Sequence, residues 1–367
     1  MSNYKKVCHL TSVHPLLDTR IFYKECISLS KAGYDVSVIV AGETNKTVEN
    51  IKVYGVSRDS NSRFYRMFYT VKKVYKKAIE VDADIYHFHD PELLPVGKKL
   101  IKKGKKVIYD THEDLPLQIL TKHWLPVIIR KPLSYFVEKI EKHYSKKLSA
   151  IIAATPIIRN RFLKYNSNTI DVCNYPIIEE LGNNVSWNKK ENSICYIGSV
   201  FKERGIVELM KAIENTDVIL ELAGSYSPES LKDELKSFNT WKKVHEYGYV
   251  GRNEIKNILS KSKAGMVTLL PKQSYMESLP IKMFEYMAAG IPVIASEFPL
   301  WKEIIEKYNC GLCVNPENPS EIEKAIETIL ANSEESEKMG INGVKAVKEV
   351  FNWKVEEEKL LKLYSKF

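Results

Sequence analysis

Long apolar runs are missing from this chain of 367 residues. None approaches the roughly eighteen consecutive apolar residues of a membrane-spanning helix. The N-terminal Met1 to Lys6 leads straight into a strand-like segment rather than a leader peptide, so a cytoplasmic protein is expected. Cysteine is sparse, and Cys8, Cys26, Cys173, Cys195, Cys310 and Cys313 mostly sit inside apolar segments. Cys310-Gly311-Leu312-Cys313 has ligand-like spacing, but no second Cys/His pair accompanies it, which points to buried thiols rather than a zinc module. No Gly-x-Gly-x-x-Gly follows a strand, which excludes a dinucleotide fingerprint. No recognition helix, finger or RNP-like pattern accompanies the net charge of +9, so no nucleic-acid partner is expected.

The charge is uneven instead. Between 58 and 77 stand Arg58, Arg63, Arg66, Lys72, Lys73, Lys76 and Lys77 against Asp59 alone, interleaved with Phe64, Tyr65, Met67, Phe68 and Tyr69. Between 122 and 147 stand Lys122, Arg130, Lys131, Lys139, Lys142, Lys146 and Lys147 against Glu138 and Glu141, after a loop containing Trp124. Basic amphipathic helices of this kind suit an anionic membrane surface, and equally suit a core-packed helix with a solvated lysine face.

What is present is apolar content of 44% in strand and helix patterns, enough for two cores. Val7 to Ser12, a loop from His14 to Arg20, a helix stopped at Gly33 and the strand Asp35 to Ala41 make a βαβ unit, hence a parallel sheet. Ligands bind outside the carboxyl ends of such strands, which favours the loop His14 to Arg20, His89 at the end of Asp84 to Asp90, and Asp110 to Asp114 at the end of the next strand. His87 should share the sheet face of His89. Asp82-Ala83-Asp84 imitates a metal-binding Asp-x-Asp, but it lies at the wrong edge of its strand. A polar stretch, Glu179 to Glu191, reads as a linker, and strands restart at Ser193.

The most informative run is Glu277 to Ala295: a loop, a helix opening near Pro280, a stop at Gly290 and a buried strand. A helix N-terminus behind a loop is a natural anion site. Glu277 precedes it and Glu285 lies eight residues on. Two glutamates at that spacing also occur on ordinary amphipathic helices.

The whole run resembles the signature of family 4 glycosyltransferases, retaining enzymes of the GT-B fold, although Ser278-Leu279-Pro280 replaces the glycine-rich loop usual there. Gly198 to Gly205, the His14…Asp18-Thr19-Arg20 loop and Val172 to Pro176 resemble other motifs of the same family. The resemblance implies an α/β protein of two doubly wound Rossmann-like domains facing a central cleft. Residues 1–182 would bind the acceptor and 183–350 the nucleotide sugar, with 351–367 packing back on the first domain. It implies His89 and Glu277 as the catalytic residues at the donor sugar. Donor binding falls to Ser199, Arg204, Leu279, Pro280, Lys282, Glu285 and the backbone around Tyr249, with Asp18, Arg20, His112 and Glu113 on the acceptor side. Ser199 stands where the family carries a basic residue, which shifts the phosphate grip toward Arg204, Lys282 or the backbone. Asp18 and Arg20 could instead cap and pair locally. No metal or other cofactor is expected.

The implied reaction moves a sugar from a nucleotide sugar, a UDP-sugar by preference, to a glycan or lipid-linked acceptor in surface-polysaccharide, lipopolysaccharide or capsule synthesis. The expected location is the cytoplasm, peripheral on the inner face of the cell membrane through residues 58–77 and 122–147. A GT-B-type sugar-nucleotide epimerase and a non-catalytic sugar-nucleotide binder are the alternatives. The acidic motif argues against the first, and Ser199 with the altered loop keeps the second open.

Overall fold

Short aliphatic and β-branched runs bounded by Gly, Asn or Asp build two parallel sheets in the computed structural model, which describes residues 5–60, 62–122, 125–181 and 185–367. Trp124 lies outside the described residues. The first unit, Met1–Asn174 with Lys354–Phe367, contains β1 (Lys6–Thr11), β2 (Asp35–Ala41), β3 (Lys46–Val48), β4 (Ile51–Val56), β5 (Ile85–Phe88), β6 (Lys106–Thr111), β7 (Ala150–Ala153) and β8 (Thr169–Asp171). Their order is β3-β4-β2-β1-β5-β6-β7-β8, parallel except for β3 against β4. Helices cover the strands, so β2 and β7 read as continuous apolar runs rather than alternating ones.

The second unit, Tyr175–Trp353, holds β9 (Ser193–Ile197), β10 (Ile219–Ala223), β11 (Val244–Gly248), β12 (Ala264–Val267), β13 (Val293–Ser296) and β14 (Gly311–Val314), ordered β11-β10-β9-β12-β13-β14. Each sheet reverses its direction of growth once, beside β1 and β5 in the first unit and beside β9 and β12 in the second. Such switch points open a crevice at the carboxyl ends of the strands.

The expected boundary at 182–183 lies outside the described residues, and the chain enters the second unit at Tyr175. The reason is aromatic: the Tyr175 ring packs edge-on against Phe284 at 4.7 Å and Phe351 at 5.4 Å. The stretch Glu179 to Glu191 is not a linker. It carries a helix, Ile178–Leu181, and a buried Trp187. Lys190 Nζ donates to the carbonyls of Leu259, Ser260 and Ser262. The terminal helix Trp353–Tyr364 belongs to the first unit from Lys354 on. It is held there by buried Leu360, Leu363 and Tyr364 and by the Cys173 amide donating to Glu356 at 2.8 Å.

Cys8, Cys26, Cys173, Cys195 and Cys310 are buried free thiols and Cys313 is half-buried. Asp82 adopts a left-handed conformation after the helix Val71–Val81 and pairs with Lys105 at 2.7 Å, while Asp84 accepts from the Lys6 amide; both carboxylates serve the amino edge of the sheet. The basic segments divide between core and surface. Val71, Val74 and Ala78 pack into the core, whereas Phe64, Met67, Phe68 and Tyr69 stay exposed. In the helix Val127–Ser145, Val127, Ile128, Tyr135 and Phe136 are exposed as well. Among the described residues no helix is long and apolar enough to cross a membrane.

Candidate active site

In the second unit the switch point is lined by two basic side chains, each with a buried nitrogen that lacks a hydrogen-bond partner among the described residues. β9 is followed by Gly198, and the turn Lys202–Arg204 leads through Gly205 into the helix Ile206–Ala212. Gly205 has φ +73° and an added Cβ would lie 1.8 Å from the Thr268 carbonyl, so only glycine brings this turn against the end of β12. Arg204 stacks over the Phe201 ring at 4.7 Å, and its buried Nε has no hydrogen-bond partner.

The helix Ile281–Ala288 supplies the other side. Pro280 is its extended N-cap residue, and residues Lys282 through Ala288 are all buried, so it is a core helix rather than a one-sided stripe. It is fixed against the sheet by Tyr286, whose hydroxyl accepts from the Ile197 amide at 3.0 Å and whose ring lies against Gly265. Lys282 Nζ is thereby carried 3.8 Å above the Tyr196 ring, buried and without a hydrogen-bond partner. Burial and the nearby Arg204 charge hold its pKa well below the ordinary lysine range. Two basic side chains with orphaned nitrogens thus stand at the carboxyl edge of a parallel sheet, and buried donors of this kind call for an acceptor.

The remaining donor-side candidates take varied positions. Glu285 is buried and its Oε1 accepts from Arg252 Nη1 at 2.6 Å, with Arg252 also held by Glu180. Arg252 is a site neighbour that the sequence reading missed, because nothing local links it to a glutamate 33 residues away. Glu277, Leu279 and Pro280 are half-buried, Ser199 is exposed, and Tyr249 is 88% exposed. Tyr249 thus presents its side chain to solvent and leaves only backbone for recognition.

The first unit brings His89, Asp110, Arg20 and His112 together at its own switch point. Arg20 is buried, not surface-facing. Its Nε and Nη2 donate to the two oxygens of Asp110, each at 2.8 Å, and its Nη1 donates to the Val172 carbonyl at 2.7 Å. Asp18 caps the helical segment Thr19–Cys26, accepting from the Arg20 and Ile21 amides. Local capping therefore holds for Asp18, while Arg20 reaches a carboxylate 90 residues away.

His89 has both nitrogens engaged inside this unit, Nδ1 to Asp110 at 3.2 Å and Nε2 to His9 Nδ1 at 3.0 Å. Burial pushes its pKa down to about 4 against the pull of Asp110. Burial works to raise Asp110, but Arg20, His112 and the imidazole hydrogen bonds override it and hold the carboxyl well below its usual range. His112, with 20% of its side chain exposed, contacts Asp110 through Nε2 at 3.0 Å. Its ring lies 5.0 Å from that of His14. His14 also lies 3.5 Å from both Asp18 and Asp90. Burial disfavours its protonation, but the hydrogen bond to Asp18 and the charges of Asp90 and Asp18 lift its pKa. His14 and Asp90 thus join the site, signalled in the sequence only by their place after strand ends. Glu113 is exposed and contacts Gln118.

Two family models match the chain: "Glycosyltransferase Family 4" over residues 20–174 and "Glycosyl transferases group 1" over 178–346. An uncharacterized glycosyltransferase of Methanocaldococcus jannaschii is 25% identical over 87% of this chain and 82% of its own length. The O-antigen chain mannosyltransferase RfbU of Salmonella typhimurium is 25% identical over 63% of this chain and 67% of its own. Among solved structures, sucrose-phosphate synthase from Thermosynechococcus elongatus superposes with TM-score 0.79 at 16% identity, covering 99% of this chain and 98% of that one. HepE of Anabaena, solved in complex with UDP-glucose, does so with TM-score 0.75 at 13% identity, covering 99% and 100%.

Proposed function

The chain belongs to glycosyltransferase family 4, with the GT-B fold, and from that premise we propose that it transfers a hexose from a nucleoside-diphosphate sugar with retained configuration. The observation that carries this reading is Lys282: a buried amino group with no hydrogen-bond partner among the described residues, beside Arg204, at the carboxyl edge of the second sheet. A diphosphate would satisfy both cations at once. In the transfer step the bond from the sugar's anomeric carbon to the leaving phosphate oxygen breaks. The acceptor oxygen bonds that carbon, and its proton passes to the leaving diphosphate. Negative charge grows on the diphosphate, where Arg204 and Lys282 are preorganised in a water-poor pocket. These two cations stand in for a divalent metal, and transfer without added metal is expected. Glu277 would hold the sugar hydroxyls and Glu285, steadied by Arg252, the ribose. His89 acts as a positioning residue, fixing Asp110 and through it the exposed His112, which would meet the acceptor with His14.

UDP is favoured as the nucleotide because HepE, a neighbour covering almost the whole chain, binds UDP-glucose. Two curated relatives are mannosyltransferases, which keeps mannose among the sugars to try. A thermal-shift panel of UDP-, GDP-, ADP- and dTDP-sugars, each with magnesium or with EDTA, tests the assignment. Ligand at about 100 times its dissociation constant adds about 2.7 kcal/mol of stability. One nucleotide class should raise the melting temperature, indifferent to metal, and Glu285→Ala should abolish the shift. No shift from any class would remove the donor reading and promote a non-transferase role.

The acceptor is proposed to be lipid-linked, or carried at a membrane surface, because the first unit presents exposed apolar side chains within two basic segments. Ile128 is 85% exposed and Phe64 68%. Burial and the Arg63 charge both depress Lys122, which places the two basic segments side by side. Such a surface suits insertion of aromatic and aliphatic side chains among anionic headgroups. The wild type should float with phosphatidylglycerol vesicles at low salt and not with neutral ones. Phe64→Ser with Ile128→Ser should weaken that partition by at least ~10-fold, since each buried side chain of this size contributes about 1.5–3 kcal/mol. Equal binding of wild type and variant would show that these side chains do not enter the bilayer. Surface-polysaccharide assembly is the pathway class this acceptor chemistry fits.

A further inference from the structure

Around His89 lies a cluster whose other members, His9, His87 and Glu25, have no part in the proposed transfer. His9 on β1, His87 and His89 at β5, and Glu25 on the segment Thr19–Cys26 are all at most 3% exposed, with one donor atom from each lying within 4.8 Å of the others. Glu25 Oε2 is 3.9 Å from a nitrogen of each of the three imidazoles. Neither Glu25 oxygen has a hydrogen-bond partner, and His9 Nε2 and His87 Nε2 are orphaned as well.

A buried carboxylate in that state is costly unless a cation compensates it. Arg20 Nε lies 3.2 Å from Glu25 Oε1, but its hydrogen bonds go to Asp110 and the Val172 carbonyl, which leaves both Glu25 oxygens without one among the described residues. The contact of His89 with Asp110 is also that of a ligating imidazole, which usually pairs its second nitrogen with a carboxylate or hydroxyl. His89 turns Nε2 toward the cluster and Nδ1 toward Asp110, and the Tyr364 hydroxyl lies 2.9 Å from His87 Nδ1.

We propose that His9, His87, His89 and Glu25 form a structural site for one divalent ion of the zinc class inside the first unit. Three imidazoles and one carboxylate make a borderline donor set that selects zinc, cobalt or nickel over magnesium and calcium. The ion ties β1, β5 and the first helical segment together, and through Tyr364 it braces the terminal helix. It also fixes His89, hence Asp110 and His112, from behind. It supplies no transfer chemistry and rests on no part of the donor-site reading, so either proposal can fail alone.

The full chain, purified without chelator and then dialysed, should carry about one zinc-class ion per molecule by elemental analysis, the stoichiometry of a structural site. Stripping it with chelator should lower the melting temperature, and zinc or cobalt, but not magnesium, should restore it. Bound cobalt should show the visible absorption of a four-coordinate site. Glu25→Gln and His87→Phe should each weaken zinc binding by at least ~10-fold, whereas His143→Gln, on the surface helix, should leave it unchanged. A wild-type chain that neither retains an ion nor responds to stoichiometric zinc overturns the proposal, whatever the variants do. Zinc bound equally by wild type, Glu25→Gln and His87→Phe overturns it too, by showing an adventitious ion elsewhere.

Discussion

Arg204→Ala should lower kcat/KM for sugar transfer by roughly 100- to 1000-fold, the loss typical when one preorganised charge is removed from a developing anion. Arg204 stands on a turn that only Gly205 can close against Thr268, so the guanidinium is placed by backbone rather than by a flexible loop. Lys282→Met should cost a similar factor, and the pair separates a functional cation from a structural one. Lys282 has no hydrogen bond to lose among the described residues, so the methionine variant should melt higher than wild type in the absence of ligand. The pH dependence has a definite sign. The folded-state pKa of Lys282 lies well below its unfolded value because of burial and Arg204. Its destabilising contribution is therefore fully present below the folded pKa and fades as pH rises toward the ordinary lysine range. The stability gap between Lys282→Met and wild type should shrink over that window. Wild-type rates in both variants would mean that the diphosphate sits elsewhere.

Much of this arrangement was legible in the sequence where the signal was local. The run Glu277 to Ala295 predicts a loop, a helix and a strand, and the structure has the helix Ile281–Ala288 followed by β13. The βαβ order at the N-terminus gives the parallel pairing of β1 with β2. Carboxyl-edge reasoning places His89, Asp110 and His112 together without knowledge of the strand order. What stayed hidden is long-range and polar. Arg20 and Asp110, or Arg252 and Glu285, leave no periodicity, because their pairing depends on how strands are ordered and not on spacing along one element. The same holds for His9, which reads as one polar residue in an apolar strand until β5 sets His87 and His89 beside it. Exposure was hidden as well: Phe64 and Val74 lie ten residues apart in helical segments of similar composition, yet one faces solvent and the other the core.

The largest effect on stability should come from Arg20→Met, with a loss of about 3–5 kcal/mol in the first unit, since removing one partner strands a buried charge. Asp110 would lose its bidentate partner at zero exposure, and the Val172 carbonyl would lose its donor near the point where the chain leaves this unit. Arg20→Lys should recover little, because an ammonium cannot reproduce the planar fork that meets both carboxylate oxygens. Adding Asp110→Asn to Arg20→Met should recover part of the loss, because no full charge then stays stranded, and the double-mutant cycle would report the coupling directly. Hydrogen exchange followed by mass spectrometry reads the two units separately. Amides of β1, β5 and β6 should exchange roughly 100- to 1000-fold faster in Arg20→Met, while those of β9 and β12 should be unaffected. Unchanged protection in β6 would mean that Asp110 finds another cation or takes a proton at little cost. The network around His89 and His112 would then owe its rigidity to the histidine cluster behind it, and Glu25→Gln rather than Arg20→Met would be the substitution that loosens it.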